Sequence, residues 1–291
     1  MLASLWPGMI ATIGSVASSW VTITLLIAAW AVVGVSFRTL RHTTLNGAWV
    51  WAVLAMLGLS GICFSGPDVS PLVPFVAGVM TLGPGVAVLG AKRPQHHAWH
   101  FIVLTSLVML TMPAVEGLMF GHGRMPELHV ARQGLIVALI ALNWANYIAT
   151  RFAIPITVFA VGQMLLLARY LSWFCGPIDD DLTPAGINWV FLAVVLAWLI
   201  RRRRRQQRDE IDAAWLPFRD SYGAAWSLRV AERFNATAKA NDWPIELHWS
   251  GWQAAAEKPE PKEVDPAWVQ CLDALLRRFV SREWLEAHRS S

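Results

Sequence analysis

The feature that most constrains this chain is a series of apolar stretches, each about as long as a helix that crosses a membrane. Such a helix needs roughly 20 predominantly apolar residues. Windows of about that length occur at residues 18–37, 47–64, 71–90, 98–119, 130–149, 152–171 and 185–200. The series predicts an all-α polytopic membrane bundle of about seven transmembrane helices.

The distribution of charge divides the chain into an apolar part and a polar C-terminal part. The chain is 55% hydrophobic and only 15% charged, which is too apolar for an ordinary soluble domain. Residues 1–200 hold eight of the 24 Lys and Arg and six of the 20 Asp and Glu, so sixteen and fourteen remain for residues 201–291. We expect a transmembrane domain at 18–200, preceded at 1–17 by an outer segment that can form an interfacial helix or a short extra span.

A run of arginines ends the last apolar stretch and predicts the orientation of the chain. Guanidinium groups are costly inside hydrocarbon, and short cytoplasmic loops are enriched in Lys and Arg. The run consists of Arg201, Arg202, Arg203, Arg204 and Arg205. With seven spans, the loops on the same side carry Arg38, Arg41, Lys92, Arg93 and Arg151. This pattern predicts a bacterial-type inner (plasma) membrane protein with its N-terminus outside, its C-terminus in the cytoplasm and a juxtamembrane stop at 201–208 that contacts anionic membrane lipids.

The polar part predicts a small α+β cytoplasmic domain at residues 209–291. Large apolar side chains recur every four residues after Pro217, which can occupy the first turn of a helix. Ile245, Leu247 and Trp249 alternate with polar residues and predict a strand. A solvated linker follows at 254–263, and Asp265 before a proline predicts the start of a last helix.

A single strand leaves two rows of backbone groups unpaired, so the predicted strand needs a partner. A short hairpin through Trp252 is one solution, and pairing with another copy or another protein is the other. We favour a protein partner or self-association. Residues 209–291 contain ten basic and fourteen acidic residues, so nucleic acid is not an expected partner.

Polar residues near the predicted outer face form the first candidate site. Glu116 is the only acidic residue within a predicted span, and such residues are functional hypotheses by default. An ordinary interfacial ion pair with Arg132 or Arg169 is the favoured interpretation; a metal or catalytic site is the alternative. The cluster comprises Glu116, His122, Glu127, His129, Arg132 and Arg169.

Two cysteines form a second candidate pair on the predicted outer side. Cys63 and Cys175 each precede a Gly-Pro and an acidic residue within a few positions, just ahead of a following span. An oxidising outer compartment permits a disulfide between them, although free thiols are the favoured interpretation.

Amides in two spans and a broken third stretch suggest a polar pocket. Pro and Gly interrupt the window at 71–90, which predicts a kink or free backbone carbonyls. Asn143 and Asn146 share a helical face, and Gln163 lies in the next span. Such amides usually join helices and sometimes bind a polar solute.

The sequence leaves the function among three classes and identifies no cofactor. We favour a non-enzymatic accessory, scaffold or assembly subunit of a membrane complex, because the bundle has few charges and the lone strand suits protein docking. A carrier or channel for a small neutral solute is the alternative. A metal-dependent enzyme or sensor on the outer face is the third class. Nucleotide-binding loops, G-x-S-x-G nucleophiles and H-E-x-x-H zinc motifs do not occur in the sequence.

Overall fold

The computed structural model describes residues 6–65, 70–121, 127–175, 182–202, 209–255 and 264–289. Six helical segments in this part of the chain are long and apolar enough to cross a membrane. They are Trp20–Leu40, Asn46–Phe64, Leu72–Leu89, His97–Met119, Ala153–Tyr170 and Thr183–Arg202. These segments indicate a multi-pass membrane protein.

The bundle consists of nine α-helices, counted over the described residues, and one 3-10 turn. In chain order they are α1 (Trp6–Leu40), α2 (Asn46–Phe64), α3 (Leu72–Met80), α4 (Gly83–Leu89), α5 (His96–Met119), α6 (Val130–Tyr147), α7 (Ala153–Leu167), the 3-10 turn (Ala168–Tyr170), α8 (Ser172–Cys175) and α9 (Thr183–Arg202). Helix α1 is continuous from Trp6, so the backbone from that residue to the first span forms one helix rather than a separate interfacial one.

Helices α3 and α4 form one broken span at the centre of the bundle. About 67% of this span is buried, compared with 17% of the spans in α1 and α2. The break lies at Thr81 and Leu82, directly before Gly83 and Pro84. Gln163 Nε2 donates to the Thr81 carbonyl at 3.1 Å and to its hydroxyl at 3.0 Å. The predicted break in the third stretch is therefore confirmed, and an amide from α7 satisfies a carbonyl at the break.

Helix α6 is less apolar than the six candidate spans because polar side chains occur at both of its ends. Gln133 near its start donates to the Leu128 carbonyl at 2.8 Å and accepts from the Trp173 backbone at 3.1 Å. Asn146 near its end bonds to the C-terminal domain. The predicted span at 130–149, the fifth in chain order, thus corresponds to a helix that is not among the six candidate spans.

The described residues of the C-terminal domain form three helices and a two-stranded antiparallel sheet. They are α10 (Glu210–Ala240), β1 (Ile245–His248), β2 (Gly251–Ala254), α11 (Pro266–Leu276) and α12 (Arg282–Arg289). Ile245 pairs with Ala254, and His248 pairs with Gly251. Helix α10 begins at Glu210, so the prediction that Pro217 opens this helix is wrong. Asp265 caps α11 as predicted, accepting from the Ala267 backbone at 2.7 Å.

Strand β1 is not left unpaired, because β2 pairs with it in the same chain, while a protein partner or self-association through this domain stays a prediction. In addition, α10 covers the outer edges of the hairpin. Asn235 accepts from the Leu247 backbone N–H at 2.7 Å and donates to the Leu247 carbonyl at 3.0 Å. Asp212 accepts from the Trp252 backbone N–H at 3.0 Å. These side chains satisfy three of the backbone groups that an added strand would need.

The C-terminal domain is bound to one end of the bundle through three turns between helices. The turns follow α1, α4 and α6, and they carry four of the five basic residues predicted to share a side with the arginine run, namely Arg41, Lys92, Arg93 and Arg151. The bonds are Thr44 N to Phe279 O (2.8 Å), Ser281 N to His42 O (2.8 Å), Arg93 N to Arg278 O (2.9 Å) and Trp249 Nε1 to Ala149 O (2.8 Å). The three turns and the C-terminal domain therefore lie at the same end of the bundle, which we call the basic end.

Candidate functional site

A cavity of about 400 Å³ lies where the bundle meets the C-terminal domain. Its volume falls within the range of about 300–1,000 Å³ that is usual for small-molecule sites. Helices α1, α2, α7 and α9 supply a mainly apolar wall, with contributions from Val33, Trp49, Ile156, Phe159, Val194 and Trp198. Residues of α10 and α12 close the side that faces the C-terminal domain.

Charged groups line the end of the cavity beneath α10. Arg151 from the turn before α7, Arg201 from the end of α9 and Asp220 from α10 all line it. Arg151 Nε lies 3.0 Å from Asp220 Oδ2, and Asp220 is only 4% exposed. Outside the cavity, Arg219 Nη2 lies 2.7 Å from the other carboxylate oxygen. One buried carboxylate thus serves two guanidinium groups, while Arg201 forms no ion pair with any carboxylate that the structure describes.

A kink in α10 determines which of its residues reach the cavity. Gly223 has φ 70° and ψ −167°, a conformation that is essentially restricted to glycine. Asn146 accepts from the Ala225 backbone N–H at 2.8 Å and donates to the Tyr222 carbonyl at 3.4 Å. The amide of α6 therefore satisfies backbone groups on both sides of the kink. Only α10 residues before the kink line the cavity.

Tyrosine hydroxyls fix the closing elements further. Tyr147 donates to the Ser221 carbonyl at 3.0 Å. Tyr222 donates to the Phe279 carbonyl at 2.9 Å, so the Thr44 hydroxyl 3.1 Å away acts as donor to it. Burial raises the pKa of Tyr222 above its ordinary value, which keeps this hydroxyl protonated. The cavity is therefore held by hydrogen bonds from both the bundle and the C-terminal domain.

The residues of the predicted outer-face cluster do not form ion pairs with one another in the described part of the chain. Glu116 and Glu127 are exposed, and no described carboxylate lies within ion-pair distance of Arg132 or Arg169. His129 caps α6 by accepting from the Ala131 backbone at 3.2 Å. The described residues contain no group of three or more His, Cys, Asp or Glu side chains that could hold a metal ion, and His122 lies outside those residues.

The predicted polar pocket is divided between two places. Asn143 and Asn146 line a cavity of about 10 Å³, which is about the space of a single water molecule. Gln163 lies at the helix break instead, bound to Thr81. Cys63 is a free thiol, and the side chain of Cys175 lies outside the described residues.

The arginine run is described only at its start. Arg201 lines the cavity, and the guanidinium of exposed Arg202 stacks 4.3 Å from the centre of the Trp198 ring. Arg203, Arg204 and Arg205 lie outside the described residues, so their contact with anionic lipid stays a prediction.

Sequence reasoning missed the ion pair at the cavity. The sequence pattern indicates only a topological role for Arg151 and none for Asp220. A usable signal was present, since Asp220 lies among Trp215, Phe218 and Tyr222, and an acidic residue within such an apolar segment requires a buried partner. The partner itself is 69 positions earlier in the chain (220 − 151) and could not be identified from spacing.

Comparison with known proteins identifies no relative. No protein-family model, curated protein or solved structure matches this chain.

Proposed function

We propose that this integral membrane protein binds an amphiphilic anion, with the anionic headgroup at Arg151 and Arg201 and the apolar chain along the bundle wall. The observation that carries the proposal is an apolar cavity closed at one end by two guanidinium groups and one carboxylate. The carboxylate already serves Arg151 and Arg219. An anionic headgroup would pair with Arg201, which has no carboxylate partner among the described residues. Guanidinium groups match the geometry of phosphate and carboxylate well.

The location of the cavity favours a lipid. Its apolar wall belongs to helices that are long and apolar enough to cross a membrane, and its charged end lies where those helices end. A lipid has the same arrangement, with chains in the hydrocarbon and an anionic group at the interface. Attraction between a basic residue near the surface and an anionic membrane contributes about 1 kcal/mol per charge.

The test measures lipid binding by the full chain in neutral detergent, using native mass spectrometry. Phosphatidylglycerol and phosphatidylcholine with the same acyl chains are compared. We expect preferential binding of phosphatidylglycerol and about a fivefold loss of that binding in Arg201→Gln. Arg202→Gln, whose side chain does not line the cavity, is the matched control. Equal binding of both lipids, or equal losses in both variants, would overturn the proposal.

Seven crossings, with the basic end in the cytoplasm, are part of this proposal. The position of α6 supports its counting as a crossing in addition to the six candidate spans. Gln133 near its start accepts a hydrogen bond from α8, and Asn146 near its end accepts one from the C-terminal domain. What supports the orientation is the enrichment of Lys and Arg in the three turns at the basic end. Labelling of single cysteines from either side of intact inner-membrane vesicles tests both. With seven crossings, cysteines at positions 68 and 242 should be labelled from opposite sides of the membrane. Labelling of both from the same side would contradict the seven-crossing proposal.

The other functional classes remain predictions with less support. The accessory-subunit hypothesis relied on an unpaired strand, whereas β1 is paired and its outer edge is covered by Asn235. A protein that co-purifies with the full chain in a fixed ratio would support it again. The carrier hypothesis relied on amides of which Asn146 and Gln163 form hydrogen bonds within the chain. Solute uptake into proteoliposomes that is lost in Asn143→Ala would support that class.

A further inference from the structure

A second concave site lies on the other side of the kink in α10. This groove has a volume of about 640 Å³ and forms between the second half of α10, the C-terminal end of α11 and the turn that precedes α5. Val230, Leu275 and Phe279 provide an apolar floor. Because the groove uses different residues from the lipid cavity, the inference drawn from it is independent of the proposed function.

Four cations from three separate segments converge on this groove. They are Lys92 from the turn, Arg229 and Arg233 from α10 and Arg278 from the segment directly after α11. Among the described residues of the lining, Glu232 is the only carboxylate, which leaves a net charge of +3 for that set (four cations minus one anion). None of the four cations forms an ion pair with a carboxylate in the described part of the chain.

Within the described residues, these four cations differ from other cations of the same domain because no carboxylate forms an ion pair with them. Arg219, Arg282 and Arg289 each contact a carboxylate. Residues 209–291 carry more acidic than basic side chains, fourteen against ten, so carboxylates are not scarce. Arg229 and Arg233 are also four residues apart on one helix, where like charges destabilise each other. A multivalent anion in the groove would offset this repulsion.

The groove presents suitable donors to phosphate oxygens. The Arg229 guanidinium lies 5.0 Å from the centre of the Trp226 ring, a stacking arrangement that orients its planar set of donors. Trp226 is itself fixed by donation from Nε1 to the Val88 carbonyl at 2.9 Å. We propose that the groove binds a phosphate-bearing ligand with at least two negative charges. A soluble phosphate compound and the phosphate monoester headgroup of a lipid share this chemistry.

The experiment uses the full chain in phosphatidylcholine nanodiscs and has two arms. The first titrates inorganic pyrophosphate by calorimetry. The second adds phosphatidic acid to the nanodiscs and measures its enrichment around the protein. We expect Arg233→Gln and Arg278→Gln each to weaken binding about tenfold, as for the loss of a hydrogen bond to a charged group. Arg277→Gln, an exposed neighbour outside the groove, is the matched control and should bind as the unmodified protein does.

Pyrophosphate binding that depends on Arg233 and Arg278 identifies a soluble ligand, and dependence only in the phosphatidic acid arm identifies a lipid headgroup. Absence of binding in both arms, or equal weakening by Arg277→Gln, overturns the inference. Arg201→Gln should leave pyrophosphate binding unchanged, so failure of the lipid cavity proposal and failure of this one give different results.

Discussion

The two halves of helix α10 belong to one continuous element but have different surroundings. Before Gly223, most residues are buried, because α10 is enclosed by the bundle on one side and by the hairpin and α12 on the other. After Gly223, the buried positions are mainly every fourth residue, namely Trp226, Val230, Phe234 and Ala238. The first half thus behaves as an internal helix, and the second behaves as an amphipathic surface helix.

This difference extends to the charges that each half presents. The first half places Asp220 in an apolar setting, where it is paired with two arginines. The second half places Arg229 and Arg233 in an open groove with no described carboxylate partner. A buried charge requires an internal partner, whereas an exposed charge can remain available to a ligand. The charged residue Asp220 before the kink therefore stabilises the fold, whereas Arg229 and Arg233 after it are suited to binding a ligand.

The largest expected effect comes from removing the boundary between the halves with Gly223→Ala. Alanine is strained at φ 70° and ψ −167°, and its Cβ would lie 2.6 Å from Asn146 Cγ. Strain and overlap together should lower the free energy of unfolding by about 4 kcal/mol. Thermal unfolding of the purified chain in detergent measures the change. Gly61→Ala, which meets no atom within 4 Å, is the control and should be neutral or slightly stabilising.

The next effect concerns the buried carboxylate of the first half. Asp220→Asn leaves Arg151 and Arg219 without their anion and should cost about 3 kcal/mol in the same measurement. Glu286→Gln breaks the exposed Arg282–Glu286 pair instead and should cost less than about 0.5 kcal/mol. Similar costs for both variants would show that Asp220 is more hydrated than its 4% exposure indicates.

A smaller effect is expected when the amide that spans the kink is removed. Asn146→Ala leaves the Ala225 N–H and the Tyr222 carbonyl without this partner, which should cost about 2 kcal/mol. Asn143→Ala, three residues earlier on the same helix, is the comparison and should have a smaller effect. A larger loss in Asn143→Ala would contradict the role assigned to Asn146.

The smallest effects compare one indole hydrogen bond in each half. Trp215 Nε1 donates to the His248 carbonyl at 3.0 Å, and Trp226 Nε1 donates to the Val88 carbonyl at 2.9 Å. Phenylalanine at either position removes the donor, and each variant should lose about 1 kcal/mol. Only Trp226→Phe should also weaken pyrophosphate binding, because Trp226 supports the Arg229 guanidinium in the groove.

Local patterns were sufficient to predict much of the fold. Length and hydropathy predicted the six segments that meet the requirements of a spanning helix, and the Pro and Gly residues within 71–90 predicted a break in the third. The four-residue repeat from Phe218 to Phe234 predicted α10. It did not predict its start, because Pro217, which is favoured in a first helical turn, indicated a later one. Ile211, Ala214 and Trp215 already follow the spacing of a helix with Phe218.

Long-range pairing was not predictable from the same patterns. The caps on the hairpin edges come from Asp212 and Asn235, and the partner of Asp220 comes from a turn in the bundle. Nothing in local spacing indicates which distant backbone group a polar side chain will meet. For that reason the sequence suggested an unpaired strand for β1 and a shared pocket for Asn146 and Gln163.

The attachment of the C-terminal domain to three turns has a consequence for the order of assembly. Thr44 and Tyr222 are separated by 178 residues, and Val88 and Trp226 by 138. The helices before residue 202 are synthesised before the domain that joins their turns exists. The transmembrane helices must therefore enter the membrane before the C-terminal domain connects their turns. Contacts of such high sequence separation form late and slowly. Completion of the C-terminal domain is then the step that fixes the relative positions of helices inserted earlier.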